Sequence, residues 1–406
     1  MTTLLSLSWR NIWRHPARSG VLLAAVVAGL WAGVFTIGAY KGMLQQRMDY
    51  LINSEITHAQ VHHPEFLSEG YSRMFLPEHD RILAWLDLDP RVRSHTARTI
   101  TSGMLQSPAR TNGVRIKGIL VESETRTTTL HQKLVEGDYL DADVQNALIM
   151  SRSLAETHNL DQYHRVVLTF EDAESELVSA AFHIVGFFES ASESFDRGNV
   201  FVRSQDLAKL LAGRTIYHEI AMMLHDQGDA AAVVADLNAG FSGISAQTWF
   251  ELSPELRTML DYGGVMLFII TIVIMLALAF GILNTMLMGI FERLREIGML
   301  LSVGMSRSRI FIMILLESII LTLIGALGGI LMALLSIAYF SETGINLEIF
   351  AEGIAEIGWE HIVYPVMHPS EFATIAMIVV AVTLLASIYP AIKAIRVNPI
   401  EAAKDN

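Results

Sequence analysis

Four stretches of this chain are long and apolar enough to cross a bilayer: Ser19 to Tyr40, Tyr262 to Phe291, Ile310 to Phe340 and Phe372 to Ile392. None contains a Lys or Arg, and each reaches the length of about 20 residues that the hydrocarbon core demands of a spanning helix. Between the first and second the pattern changes. Runs rich in β-branched and aromatic residues (Thr57 to His62, Val114 to Leu120, Val166 to Phe170, Leu177 to Phe188, Asn199 to Val202, Tyr217 to Leu224) alternate with helical periodicities at Glu78 to Leu86, Arg152 to Asn159, Gln205 to Ala212 and Asp229 to Leu237. Residues 41–261 therefore predict a mixed α/β domain, with Gly240 to Ser253 as its exit toward the second span. The expected fold class is an α-helical membrane protein with four transmembrane helices and a large α/β domain between helices 1 and 2.

Charge orients these elements. Arg10, Arg14 and Arg18 precede the first span; Arg293, Arg295, Arg307 and Arg309 lie between the second and third; Lys393, Arg396 and Lys404 follow the fourth. The segment 341–371 holds six Glu and no Lys or Arg. Retained Lys and Arg mark the cytoplasmic side, so residues 1–18, 292–309 and 393–406 are expected inside and 41–261 and 341–371 outside, with both termini cytoplasmic. The 22 uncharged residues of the first span exceed the roughly 7–15 of a signal-peptide core, which favours an uncleaved anchor. Ahead of it, Leu5, Trp9, Ile12 and Trp13 are predicted on one helical face and Arg10 and Arg14 on the other, a helix lying in the membrane interface that Pro16 ends.

Composition fits a chain that is part membrane and part water-soluble. Mean hydropathy is +0.40 with 52% hydrophobic and 17% charged residues. The net charge of -13 is concentrated in residues 41–260, which hold 19 Lys and Arg against 30 Asp and Glu. An acidic domain of this kind carries no electrostatic footprint for nucleic acid. Without cysteine there is no disulfide framework and no thiolate chemistry.

Candidate catalytic chemistry is sparse. His58, His62 and His63 form the best local cluster, but they fall in a strand-like segment and read as ordinary core or surface histidines more readily than as metal ligands. Gly33 to Gly38 is followed by Ala39 rather than Lys-Ser/Thr and lies within a membrane span, so it is no phosphate loop. Packing chemistry is clearer. Gly29 and Gly33 in the first span, and Gly325 and Gly329 in the third, are GxxxG spacings that allow close backbone approach, within one chain or across a dimer. Glu317 is the one carboxylate within a span. About two turns from Arg309, it is expected to hydrogen-bond between helices or pair with a cytoplasmic base.

The run Phe280-Gly-Ile-Leu-Asn-Thr-Met-Leu-Met-Gly-Ile-Phe-Glu-Arg-Leu-Arg-Glu-Ile-Gly298, continuing through Ser302-Val-Gly-Met305, resembles the E-R-x-R-E-I-G segment of the MacB/FtsX/LolC-LolE permeases of ATP-binding-cassette systems. Leu316 to Gly329 resembles the family's third helix, and Tyr389 to Ala402 its P-A-x-x-A-x-x-x-x-P-x-E-A terminus. Trp9-Arg-Asn-Ile-Trp-Arg14 and Thr57 to His63 are most similar to the lipoprotein-releasing members. The resemblance implies a permease in a bacterial inner membrane, without an ATPase site of its own, coupling ATP hydrolysis by two copies of a cytoplasmic ABC ATPase to extraction or release of a lipoprotein or lipid-like cargo. It also implies a second permease copy or paralogue, and ATP and Mg bound on the ATPase rather than on this chain. Glu292, Arg293, Arg295, Glu296, Ile297, Gly298, Leu300, Leu301 and Gly304 would couple to the ATPase, with Ile297, Leu300, Leu301 and Val303 as its apolar contact. Leu30, Val34 and Ile37, meeting Leu267 and Ile270, are expected to line a cargo cavity between protomers; contact with bulk lipid or the fourth helix is the alternative. Efflux of an amphipathic drug or peptide with a periplasmic adaptor, and non-transport signalling, are the competing functions.

Overall fold

The computed structural model describes residues 8–396 apart from 11, 15, 70–72, 141–143, 191 and 351–361. The predicted contribution of Leu5, the acidic segment 351–361 and the tail 397–406 lie outside the described residues. Two compact units are present: Met1–Leu44 with Asp261–Asn346 and Ile362–Asn406, and Gln45–Leu260 with Leu347–His361.

The first unit is built on four long helices, Pro16–Leu51, Pro254–Glu292, Arg307–Thr343 and Pro369–Ile395. All four are apolar and long enough to cross a membrane. Helices suit this solvent because every backbone donor and acceptor is satisfied within the segment. Proline opens three of them, at the position where the missing N–H has no intrahelical partner to lose. The fourth is also capped by a reciprocal pair of hydrogen bonds between His368 and Glu371.

Glycines set how closely these helices approach. A Cβ at Gly325 would lie 2.8 Å from Val26 Cγ1, and one at Gly329 would lie 3.0 Å from both Leu30 Cβ and the Val27 carbonyl oxygen. Gly29 and Gly33 face Leu278 and Ile274 of the second helix. Both GxxxG spacings thus serve packing within the chain. Trp31 Nε1 donates to Ser336 Oγ at 2.9 Å across the first and third helices. Ahead of the first helix, the predicted apolar face divides. Ile12 is buried and Ser8 Oγ donates to the Met313 carbonyl at 3.2 Å, whereas Trp9 and Trp13 are exposed with ring centroids 5.9 Å apart. Positions 8 and 12 share one helical face and 9 and 13 the next, so the bundle takes one pair and leaves the tryptophans outward.

The connection between the third and fourth helices straps the first. Ile345–Asn346 pairs with Ile362–Val363, Val366 N donates to the Gly38 carbonyl at 3.1 Å, and Lys41 pairs with Glu371. Gly42 packs directly on the backbone of Tyr364 and Pro365.

The second unit holds a sheet of β1 Ala59–His62, β2 Val92–Gln106, β3 Thr111–Ile119, β4 Leu134–Gly137, β5 Ala147–Ser151, β6 Arg165–Glu171, β7 Leu177–Phe188, β8 Asn199–Arg203, β9 Glu219–Leu224 and β10 Ser245–Thr248. Its order is β10-β1-β9-β2-β3-β8-β5-β7-β4, with β6 pairing β2 and β7. Helices His79–Leu88, Arg152–Thr157, Ser204–Ala212 and Ala230–Gly240 cover apolar clusters that include Leu105, Phe170, Phe182 and Leu207 on one part of the sheet and Ile82, Leu86, Met222 and Leu237 on another. The sequence pattern does not reveal β2, β4, β5 or β10. The segment 240–253, expected as an exit, contributes β10 and a short helix, Trp249–Leu252.

β2 hides from the pattern because it buries polar groups. Arg98 donates from Nε to Glu124 at 3.0 Å, from Nη2 to Glu124 at 2.7 Å and from Nη1 to Glu219, with which it is paired across β2 and β9. His62 Nε2 meets the other Glu219 oxygen at 3.1 Å. Burial alone pushes the Glu219 carboxyl up; Arg98, the hydrogen bond from His62 and the nearby Lys117 reverse this and hold it well below the usual carboxylate range. Burial, with Arg98 adding to it, brings the Lys117 ammonium down to about 8, against the pull of Glu219 and Glu55.

Candidate coupling site

The second helix stops at Glu292, and Arg293 begins a short helix, Leu294–Ser302, whose apolar residues recur at helical spacing. Val303 closes it, and Gly304 turns the chain with φ +96°, a left-handed conformation that glycine adopts without strain. Gly304 N and Met305 N donate to the Leu301 and Leu300 carbonyls at 3.1 and 3.0 Å, which satisfies the helix end. The third helix then starts at Arg307.

One side of this short helix is fixed. Ile297 is buried with Ile290, Ile310, Ile314, Ala391 and Ala394, and Leu294, Leu300, Leu301 and Met305 pack partly against them. Lys393 Nζ lies 4.9 Å from the Phe291 ring centroid. The other side is open. Arg295, Met299, Ser302, Val303 and Gly304 are exposed, Met299 by 57% and Val303 by 88%.

Beneath it lies the carboxylate singled out in the third span. Arg293 Nη1 donates to both oxygens of Glu317, at 3.1 and 3.2 Å, and Arg293 Nε donates to Glu296 Oε2 at 3.0 Å. The base that pairs with Glu317 is therefore Arg293, and the charge is neutralised at a nearly buried position within the bundle.

Two groups of predicted residues need correction. Ile297, expected to face outward with Leu300, Leu301 and Val303, is turned inward, and Arg293 is spent on Glu317 and Glu296. The exposed side of the segment is instead Arg295, Met299, Ser302 and Val303. A helical wheel centred on Ile297 would have found it, because 295, 299 and 302 fall on the far side. The second correction concerns Leu30, Val34 and Ile37. All three are buried in the bundle's own core with Leu278, Ile337, Phe372 and Val379. Gly329 lets the first helix approach the third so closely that this face closes within the chain. Leu267 and Ile270 are only half-buried, on a second helix whose Val265, Phe268, Ile269, Ile272 and Val273 are exposed.

The remaining candidates have structural partners. His58 Nδ1 accepts from Leu224 N at 3.0 Å, and His63 Nδ1 accepts from Glu65 N at 3.3 Å. Among the described residues no group of three His, Cys, Asp or Glu is placed to hold a metal ion.

Residues 268–399 match the FtsX-like permease C-terminal family model. Over 399 residues the chain is 24% identical to the lipoprotein-releasing system transmembrane protein LolC of Xylella fastidiosa, covering 94% of this chain and 92% of that protein. It is 25% identical over 365 residues to the uncharacterized ABC transporter permease YvrN of Bacillus subtilis, covering 80% and 85%. The chain is an ABC-transporter permease of the FtsX/LolC/MacB type. Among solved structures, the periplasmic region of MacB from Actinobacillus actinomycetemcomitans aligns with a TM-score of 0.37 and 12% identity, covering 53% of the permease and 98% of that chain. The family match contains the whole short helix, Arg293 and Glu317.

Proposed function

We propose that this permease is the membrane subunit of a lipoprotein- or lipid-releasing transporter, driven by a separate cytoplasmic ABC ATPase that docks on the exposed face of Leu294–Ser302. The observation that supports it is a short helix anchored to the bundle on one side and open on the other, in a chain that matches LolC nearly end to end. The cargo reading has a physical basis. Withdrawing an acyl chain from a bilayer costs about 0.8 kcal/mol per methylene, so release into water needs external work and an apolar path. On this reading the distribution of Lys and Arg puts Leu177 and Ser341 outside and Ser306 inside a bacterial inner membrane.

Reconstitution tests this directly. The purified permease is expected to hydrolyse no ATP alone, to hydrolyse it with its operon-encoded ATPase, and to carry a lipoprotein identifiable by mass spectrometry. Met299→Asp and Val303→Asp should weaken that complex roughly tenfold or more, since each adds an unpaired charge to an interface core. Hydrolysis by the permease alone, or a tight complex with both variants, would overturn the assignment. A co-purified adaptor with no lipid cargo would favour efflux.

The orientation has its own check. Single cysteines at Leu177 and Ser341, both exposed, are expected to react with an impermeant maleimide in intact spheroplasts. One at Ser306 should react only after permeabilisation; labelling from outside at Ser306 inverts the topology.

A further inference from the structure

We infer that the Arg293–Glu317 ion pair is the joint that makes the short helix Leu294–Ser302 and the third membrane helix move as one body, so that Arg293 and Glu317 are positioning residues for transmission rather than charges that merely neutralise each other. The inference rests on the proposed docking of an ATPase on that helix, but the joint itself can be tested without it.

Three observations point to a joint. The first is geometry: Arg293 sits at the hinge between the second helix and the short helix, and its guanidinium grips both Glu317 oxygens while its Nε holds Glu296. A planar guanidinium held at Nη1 by Glu317 and at Nε by Glu296 fixes direction as well as distance, which an ammonium or an apolar contact does not. The second is environment. The Arg293 and Glu317 side chains are only 10% and 12% exposed, and separating opposite charges is far costlier there than in water. Apolar contacts such as Ile297 on Ile310 and Ile314 tolerate sliding, because dispersion and burial have no directional preference.

The third is a cavity of about 50 Å³ beside the pair, lined by polar Ser19, Thr285 and Ser318 together with Leu22, Met286 and Leu321 of the first three helices. Its volume suits one or two waters with several polar partners. Ser318 Oγ donates to the Met286 sulfur at 3.1 Å on its wall. The pair therefore stands where three helices meet, with room for water on one side, and it is stiff along the Arg293 to Glu317 direction. Force applied to the exposed face of the short helix passes through this contact into the third helix. Without it, the turn at Gly304 and the apolar contacts of Ile297 with Ile310 and Ile314 would be left to link the short helix to the third.

Spin labels at Met299→Cys and Ser341→Cys of the otherwise cysteine-free permease, in nanodiscs, measure the joint. The parent pair of labels should give a narrow distance distribution. Glu317→Gln and Arg293→Lys should broaden it, and the exchange Arg293→Glu with Glu317→Arg should narrow it again. An unchanged distribution in Glu317→Gln refutes the joint. If that variant fails to insert, Arg293→Lys, which keeps the charge and loses the two-point grip, decides the question by the same criterion. In the ATPase complex, stimulation of ATP hydrolysis by a fluorescent triacylated peptide should fall about fivefold or more in Glu317→Gln, with assembly retained and partial recovery in the exchange. Broadening with full stimulation refutes the transmission role. A parent complex that ignores the peptide refutes the proposed cargo, and the distance measurement still decides the joint.

Discussion

Replacing Arg98 by Ala in the full-length permease is expected to cost the α/β domain about 3–5 kcal/mol, because it strands two buried carboxylates without their cation. Arg98 is 2% exposed and is the common partner of Glu124 and Glu219. Thr128 Oγ1 and His62 Nε2 would remain with them at 2.9 and 3.1 Å, which is too little to offset a missing guanidinium. A domain of this size is stable by about 5–15 kcal/mol, so about a fifth or more of its margin would go. Arg91 is the control. It bridges Asp89 and Asp236 at 2.6 and 2.7 Å, yet Asp236 is more than half exposed, and exposed pairs contribute only about 0–1 kcal/mol. Denaturant unfolding followed by hydrogen exchange within the domain separates the two; equal losses for Arg98→Ala and Arg91→Ala would show that the network is not what holds β2 to β9. Acid adds a second signature. Glu219 has its folded-state pKa depressed, so its contribution is present above the usual carboxylate range and is lost as pH falls through the folded value. Arg98→Ala removes the main cause of that depression, and the acid limb of the stability curve should flatten.

The second large effect is expected at Gly42. A Cβ there would stand inside the van der Waals envelope of the Tyr364 carbonyl oxygen, with the Tyr364 carbon at 2.9 Å and Pro365 Cα at 3.1 Å. These are backbone atoms, so relief requires moving the strap itself. That would strain the Val366 to Gly38 hydrogen bond and the Lys41–Glu371 pair. Gly42→Val should destabilise the bundle by about 3 kcal/mol, at the upper end of ordinary overpacking. A helical glycine with open space beside it behaves oppositely. Nothing lies within 4 Å of the site a Cβ would take at Gly264, and Gly264→Ala should gain about 0.5–1 kcal/mol from reduced backbone entropy. Thermal unfolding of the detergent-solubilised permease tests both, and a Gly42→Val variant as stable as the parent would mean the strap does not seat on the first helix.

The parts of this permease legible in its sequence are those set by local or additive properties. Span length and the absence of Lys and Arg depend only on counting along the chain, so the four helices stand where the apolar stretches do, lengthened at their ends. The E-R-x-R-E-I-G run and the flanking helix and tail patterns carried the family. Enrichment in β-branched and aromatic residues was enough for β7, found over Leu177–Phe188, because its inner half is apolar. It failed for β2, whose Arg98 and Thr99 are buried polar residues satisfied by partners far away in the chain.

Only the tertiary structure decided which faces turn inward. A membrane helix is apolar on all sides, so its pattern does not distinguish core from lipid. That is why Leu30, Val34 and Ile37 read as an open cavity wall and are core. Glu317 was visible as an unusual charge, but its partner Arg293 became evident only when the short helix folded back onto the third. The Lys41–Glu371 pair, 330 residues apart in the chain, has no local signal at all. Periodicity and charge report what each residue prefers; which preferences are met, and by whom, follows from how closely glycine lets the backbones approach.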